Sequence, residues 1–178
     1  TTLLSMVDAS VGGKNGVDLG NLKNQIGVIN TPKMVLIDTQ YLETLSKEEM
    51  RSGLAEMLKH GLIYDKGYWE QFLDLKAIDF ADFDTLIYRS VEIKNEIVMQ
   101  DPTEKSIRKA LNFGHTLGHA IESYFLENEN KKSLLHGEAI AIGMILESYI
   151  SLEKNLLTID EYNQIKTTIK SIYDDVIF

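Results

Sequence analysis

Residues 111–122 read Leu-Asn-Phe-Gly-His-Thr-Leu-Gly-His-Ala-Ile-Glu, and residues 136–150 read His-Gly-Glu-Ala-Ile-Ala-Ile-Gly-Met-Ile-Leu-Glu-Ser-Tyr-Ile. A helix turns about 100° per residue, so a helix over 110–126 carries Asn112, His115 and His119 on one face with Glu122 beside them. Arg108 joins that face if the helix starts early enough. Ala110, Gly114, Leu117, Gly118, Ile121 and Phe125 take the other side. The second stretch, a helix over 136–153, is apolar nearly all round from Ala139 to Ile150, which predicts burial among other helices. Its first turn holds His136 and Glu138. A histidine entering a buried helix needs a partner, either a hydrogen bond or a metal.

Outward from these stretches the same periodicity recurs. Ser46 with Glu49 forms a capping box that opens a helix over 47–64, striped by Met50, Leu54, Met57 and Gly61. Further helices are expected over 67–76 and over 83–100, the latter striped by Leu86, Ile87, Val91, Ile97 and Val98. Thr158 with Glu161 caps a last helix striped by Tyr162, Ile165, Ile169 and Ile172. The polar patch Glu127 to Ser133 reads as a loop. Residues 1–46 differ: they carry Gly12, Gly13, Gly16, Gly20 and Gly27, and the apolar run Met34 to Ile37 after Pro32 predicts a buried strand. The expected division is 1–46 as a small α/β portion and 47–178 as a helical domain.

Among 178 residues the net charge is -9, with no cysteine and two prolines. The acidic balance argues against nucleic acid or an anionic membrane surface as the main partner. The absence of cysteine excludes a disulfide framework and a thiolate metal site, and it fits a reducing, cytoplasmic setting. The longest apolar run, Ala139 to Leu146, is too short to span a bilayer. Thr1 is preceded by neither an initiator methionine nor a basic leader, which leads to the expectation that the chain is a fragment.

Several residue sets can carry chemistry. Glu56, Lys59 and His60 sit at i, i+3 and i+4, a spacing equally suited to a surface ion pair. Glu56 with two histidines would make a mixed oxygen and nitrogen set of the kind that holds catalytic zinc with an open position, and cobalt or manganese would fit too. Lys94 falls within an apolar stripe; it can snorkel outward or serve an anion in a polar pocket. Asp8, Lys14, Lys23 and Asn24 accompany the early glycines, a weak phosphate signal because the spacing is not that of a P-loop.

Taken together, five segments are specific. Val7 to Lys14, Lys23 to Gly27, Gly53 to Lys59, Leu111 to Glu122 and Leu135 to Glu138 resemble, in order, the signatures of the 3-dehydroquinate synthase family of sugar phosphate cyclases. The resemblance implies a mainly α protein: a helical metal- and substrate-binding domain preceded by part of a Rossmann-like NAD-binding domain. It implies Glu56, His115 and His136 as metal ligands for Zn2+ or Co2+. It implies Asp8, Lys14, Asn24, Lys59, Lys94, Arg108, Asn112 and His119 as substrate-handling residues. Thr1, Thr2, Lys14, Lys23, Tyr41, Leu42, Glu43 and Thr44 would lie around NAD. The implied reaction turns 3-deoxy-D-arabino-heptulosonate 7-phosphate into 3-dehydroquinate and phosphate, in the shikimate route to aromatic compounds, by a homodimer acting on a small anionic sugar phosphate.

Departures accompany it. Asn15 stands where threonine is usual and Ser106 where glycine is frequent. The family's glycine-rich pyrophosphate loop would lie before Thr1, so this chain alone is expected to bind metal yet turn over little substrate. The alternatives are another sugar phosphate cyclase, a related metal-dependent polyol dehydrogenase, or a helical interaction domain with incidental histidines.

Overall fold

A computed structural model describes residues 2–19, 22–74, 80–128, 133–174 and 176. Six α-helices are present among them: α1 (Lys47–Tyr64), α2 (Lys66–Glu70), α3 (Phe80–Gln100), α4 (His115–Glu127), α5 (His136–Glu153) and α6 (Ile159–Ile172). A π-helical turn at Ser5–Ala9 and 3-10 turns at Thr39–Thr44 and Ile107–Asn112 complete the helical content. One antiparallel hairpin, β1 (Lys14–Leu19) with β2 (Leu22–Ile29), supplies the sheet.

Both predicted caps open their helices, the Thr158 box in both halves and the Ser46 one through the serine side chain. The Ser46 hydroxyl accepts from the Glu49 N–H (3.3 Å), and Thr158 accepts from Glu161 N–H (3.2 Å) while the Glu161 carboxylate takes the Thr158 N–H. α5 is the centre of the bundle and packs against α4, α1 and α6. Ala139, Ile140, Ala141 and Met144 are fully buried, but Leu146, Tyr149 and Ile150 towards its end are exposed, so the all-round burial expected of this helix holds only for its first three turns. The core also takes in Leu3, Met6 and Val7 from the opening turn, which lies against α1 and α3.

Close helix approach depends on missing side chains. A Cβ on Gly143 would lie 1.9 Å from the Gly114 carbonyl oxygen, and one on Gly137 would lie 2.1 Å from that of Ser52. The α4–α5 and α1–α5 contacts therefore need glycine at these positions. They bring the starts of α4 and α5 beside the middle of α1, where the site forms.

Three expectations are corrected. The helix predicted from 110 begins only at His115, because Gly114 has φ 79° and breaks the run; residues before it form the 3-10 turn. Glu147 on α5 then caps the new start by accepting from Gly114 N–H (2.8 Å). The helix over 67–76 ends at Glu70, with residues 75 and 76 outside the described ones. Met34 to Ile37 is not a strand: Met34 and Leu36 are exposed, and no strand pairs with the run among the described residues. A lone apolar run with no ladder partner cannot satisfy its backbone groups as a strand would. No described helix is long and apolar enough to cross a membrane.

Candidate active site and metal centre

α1 carries Glu56, Lys59 and His60, all essentially inaccessible to solvent. The surface ion pair that the spacing allowed is thus a buried one, with the Lys59 ammonium directly on Glu56 Oε2. Lys94 does not snorkel. It is buried, donates to Asp8 Oδ1 at 2.6 Å and also contacts the Asp8 carbonyl oxygen. Burial alone would raise the Asp8 carboxyl; Lys94, then Lys59, outweigh it and hold Asp8 far below the usual carboxylate range. Burial lowers the Lys94 ammonium in turn, with Asp8 opposing.

The imidazoles meet these carboxylates from two other helices. His115 at the first position of α4, His119 one turn on, and His136 at the first position of α5 lie with ring centroids 5.3 to 5.6 Å apart. One ligand nitrogen from each fits within 4.8 Å of the others. His115 Nδ1 lies 3.2 Å from the Phe113 carbonyl oxygen, which can only accept, so Nδ1 carries the proton and Nε2 presents its lone pair. Burial, then the nearby Lys59 charge, pushes the His115 pKa down to about 3, so the ring is neutral. That Nε2 lies 3.5 Å from Glu56 Oε1, a buried oxygen without a hydrogen-bond partner. Two acceptors facing each other in a dry site call for a cation or a proton between them. Burial raises the Glu56 carboxyl, with the Lys59 ammonium opposing. His136 Nδ1 faces Glu122 Oε2 at 3.6 Å, on the opposite side of the ring from Nε2. The donor set of one carboxylate oxygen and imidazole nitrogens fits a divalent ion of the zinc or cobalt kind. His119 is as well placed among the imidazoles as Glu56 is beside His115.

A cavity of about 340 Å³ opens in front of this cluster, lined by Asp8, Ala9, Val11, Lys14, Lys59, Lys94, Arg108, Leu111, Asn112, His115, His119 and His136. Seven of the eight residues expected to handle substrate are thereby gathered in one cavity; Asn24 lies in β2 with its side chain outside the described ones. Arg108 is buried and held by backbone carbonyls, Nη1 on Pro102 O (2.9 Å) and Nη2 on Gly12 O (3.0 Å). Gly12 has φ 103°, and a Cβ there would lie 2.7 Å from Arg108 Nη2, so glycine is needed for both reasons. Asp101 fixes the approach to Arg108 by accepting three backbone N–H groups, from Lys105 (2.9 Å), Ser106 (2.6 Å) and Arg108 (3.1 Å). Burial works against this carboxylate, but those donors hold its pKa to about 2.

Asn112 reaches the cavity from the 3-10 turn rather than from the face of α4 that it was expected to share. Its amide donates to Glu104 Oε1 (3.0 Å), and Glu104 also meets the Lys14 ammonium. Glu104 went unnoticed in the sequence because its φ of 58° places it in an irregular loop with no periodicity to read. The residues expected around NAD are dispersed. Thr1 and the side chain of Lys23 lie outside the described residues, Thr2 bonds Ser5 (3.0 Å), and Tyr41 to Thr44 form a 3-10 turn whose Leu42 side chain is buried in the core. Among the described residues of that set, only Lys14 lines the cavity. His60 and Ser90 complete the picture from below, with His60 Nδ1 and Ser90 Oγ 2.7 Å apart. Their joint burial has no sequence signature, since they sit 30 positions apart on different helices.

Comparison with known proteins bears on the chain as a whole. Residues 1–52 match the 3-dehydroquinate synthase N-terminal family model and residues 53–176 the 3-dehydroquinate synthase C-terminal model. A 3-dehydroquinate synthase of Helicobacter pylori (strain G27) is 43% identical over 179 residues, all of this chain and 50% of the relative. That of Streptococcus pyogenes serotype M49 is 47% identical over 158 residues, 88% of this chain and 43% of the relative. The chain thus spans about half the length of the curated relatives it matches. Among solved structures, the 2-epi-5-epi-valiolone synthase of Streptomyces hygroscopicus with NAD+ and Zn2+ bound superposes with a TM-score of 0.86 at 30% identity, covering 99% of this chain and 49% of that one. A 2-deoxy-scyllo-inosose synthase complexed with carbaglucose-6-phosphate, NAD+ and Co2+ gives 0.83 at 28% identity, covering 99% and 48%.

Proposed function

Since the chain belongs to the 3-dehydroquinate synthase family, we propose that it is the metal- and substrate-holding part of an enzyme that converts 3-deoxy-D-arabino-heptulosonate 7-phosphate to 3-dehydroquinate and phosphate. Residues 1–46 would belong to the NAD-binding portion and 47–178 to the helical domain. The working enzyme would be a cytoplasmic homodimer. The observation that carries the reading is the pair of opposed acceptors, Glu56 Oε1 and His115 Nε2, buried at the foot of a cavity lined by Lys14, Lys59, Lys94 and Arg108.

The residues suit an anionic polyhydroxy substrate. Glu56, His115 and His136 would hold the divalent metal, and NAD would lie towards Lys14 and residues 41–44. When bound, the metal supplies Lewis-acid polarisation of a substrate oxygen, and NAD supplies reversible hydride acceptance. Lysines and Arg108 offer point charges and a planar fork to phosphate and carboxylate groups. Their burial strengthens each contact, because little water competes in the cavity. Lys94 holds Asp8 ionised, so Asp8 accepts from substrate hydroxyls and does not give up a proton. Asn112 presents an amide at the rim. His119 stands between His115, His136 and the opening, where an imidazole can take or return a proton.

The test is metal binding by the chain followed by product analysis. Titration with Co2+ should give one visible-absorbing site, lost in Glu56→Ala and His115→Ala. A protein that spans the relatives' full length should release phosphate and 3-dehydroquinate without accumulating reduced NAD. Net reduced NAD would point instead to a polyol dehydrogenase, and a different carbocycle would point to another cyclase. The resemblance to valiolone and inosose synthases in structure keeps that second reading in play, while Asn112 and His119 match the dehydroquinate pattern. The 178-residue chain by itself is expected to bind metal with little turnover.

A further inference from the structure

The two helices that carry the proposed ligand histidines both start without a cap of their own. His115 is the first residue of α4 and His136 the first of α5. The residues before them, Gly114 and Leu135, have no side-chain oxygen to offer the free N–H groups of a first turn. In a capping box the residue before the helix accepts the N–H of the third helical residue, whose side chain returns the bond. Neither Gly114 nor Leu117 has a side chain that can do so.

Neighbouring helices supply what is missing. Glu147 on α5 accepts Gly114 N–H at 2.8 Å through Oε2 and Leu117 N–H at 3.4 Å through Oε1. One carboxylate thus fills both places of a capping box, and it faces the positive end of the α4 dipole. The buried Ser52 on α1 accepts Gly137 N–H at 3.1 Å, the half of the α5 cap that Leu135 cannot provide, while Glu138 accepts Leu135 N–H at 2.8 Å. In both helices the histidine lies between two amides held in this way. Ser52 also precedes Glu56 by one turn of α1. The two caps therefore join three helices into one frame: α1 carries Glu56 and holds the start of α5, and α5 carries His136 and holds the start of α4 with His115.

We propose that Glu147 and Ser52 are positioning residues of the metal centre: each caps, from a neighbouring helix, the start that presents a ligand histidine, and together they fix His115 and His136 against Glu56. The inference rests on the reading of Glu56, His115 and His136 as ligands. Neither capping residue lines the cavity, so each acts through the backbone it holds. Groups that hold a metal ligand in place from behind commonly contribute about 10–100-fold in affinity.

Alanine is a good helix former, so Ser52→Ala and Glu147→Ala remove the caps without weakening the helices that bear them. Co2+ titration followed by visible absorption should show affinity about 10-fold weaker in each, with altered band intensities, because the imidazoles no longer meet the ion in one fixed arrangement. Glu147→Gln, whose amide oxygen still accepts Gly114 N–H, should recover most of the affinity and the spectrum. Unchanged affinity and spectrum in either alanine variant, whatever its stability, make that residue an ordinary helix cap and overturn the inference for it. A Glu147→Gln variant as weak as Glu147→Ala places the effect outside the cap and overturns it as well. If Glu147→Ala does not fold, Ser52→Ala carries the same comparison at the start of α5. Failure of the unaltered chain to bind Co2+ sinks the metal reading and this inference with it, whereas binding that the variants leave untouched sinks this inference alone.

Discussion

The hairpin and the helical pocket invert the usual rule in opposite directions. In the hairpin, Val17, Ile26 and Val28 share one face and are each more than 60% exposed. In the pocket, Glu56, Lys59, Lys94 and Arg108 are all at least 93% buried. Apolar side chains grouped on one exposed face suit a surface that is covered. Buried charges mark a site that keeps water out to strengthen its contacts with ions. Each region is costly on its own terms, so the difference teaches where each depends on something beyond its own residues: the hairpin on covering surface, the pocket on an ion and a substrate.

Substitutions sharpen that contrast, and the largest effect belongs to the pocket. Glu56→Ala leaves Lys59 as an uncompensated buried charge, and it should lower unfolding free energy by about 3–5 kcal/mol in a denaturant titration while abolishing Co2+ binding. An unchanged midpoint would mean the pair is wetter than its burial indicates. Gly143→Ala comes next. The new methyl must push α4 from α5 against the Gly114 carbonyl, at a cost of about 1–3 kcal/mol. The same displacement should weaken Co2+ binding, since His115 and His136 sit on those two helices. Loss of stability with intact metal affinity would show that the imidazoles tolerate the shift.

Acid gives a smaller and more diagnostic effect. Asp101 is held at about 2 in the folded chain against 3.8 when free. A depressed folded pKa contributes stability that is fully present above pH 3.8 and disappears as pH falls to about 2. The Asp101→Asn variant should therefore lose less stability than the unaltered chain over that window, followed by thermal melts at successive pH values. A parallel pair of curves would remove Asp101 from the set of groups that tie Arg108 down. The smallest effect is expected in the hairpin. Threonine at Val17, Ile26 and Val28 should change stability by no more than roughly 0.5 kcal/mol each, yet reduce dye binding to exposed apolar surface. A large loss there would show that the hairpin face is packed after all, and the comparison between the two regions would fail.

Local chemistry made much of this molecule readable in advance. Capping at Ser46 and Thr158, the stripes of α1, α3 and α6 and the start of α5 are set within a few residues of sequence, and they appear where spacing predicts. The residue types of the site were equally legible, since a carboxylate, imidazoles, lysines and an arginine in ordered motifs limit the chemistry to metal and anion handling. What spacing could not supply was the break at Gly114, because a positive φ answers to the passage of α5 across that carbonyl. Nor could it tell a snorkelling Lys94 from a buried one, which depends on Asp8 arriving from 86 positions away. It read Met34 to Ile37 as a strand from composition, although a strand exists only where a second one pairs with it.

Sequence by itself determined the helices, their caps and the inventory of reactive groups, because those follow from contacts within one or two turns. Tertiary structure alone decided that Glu56 Oε1 faces His115 Nε2, that Lys94 reaches Asp8 and that Ser90 engages His60. Each of those pairs joins separate elements of the chain, and its geometry exists only once packing has brought those elements into contact.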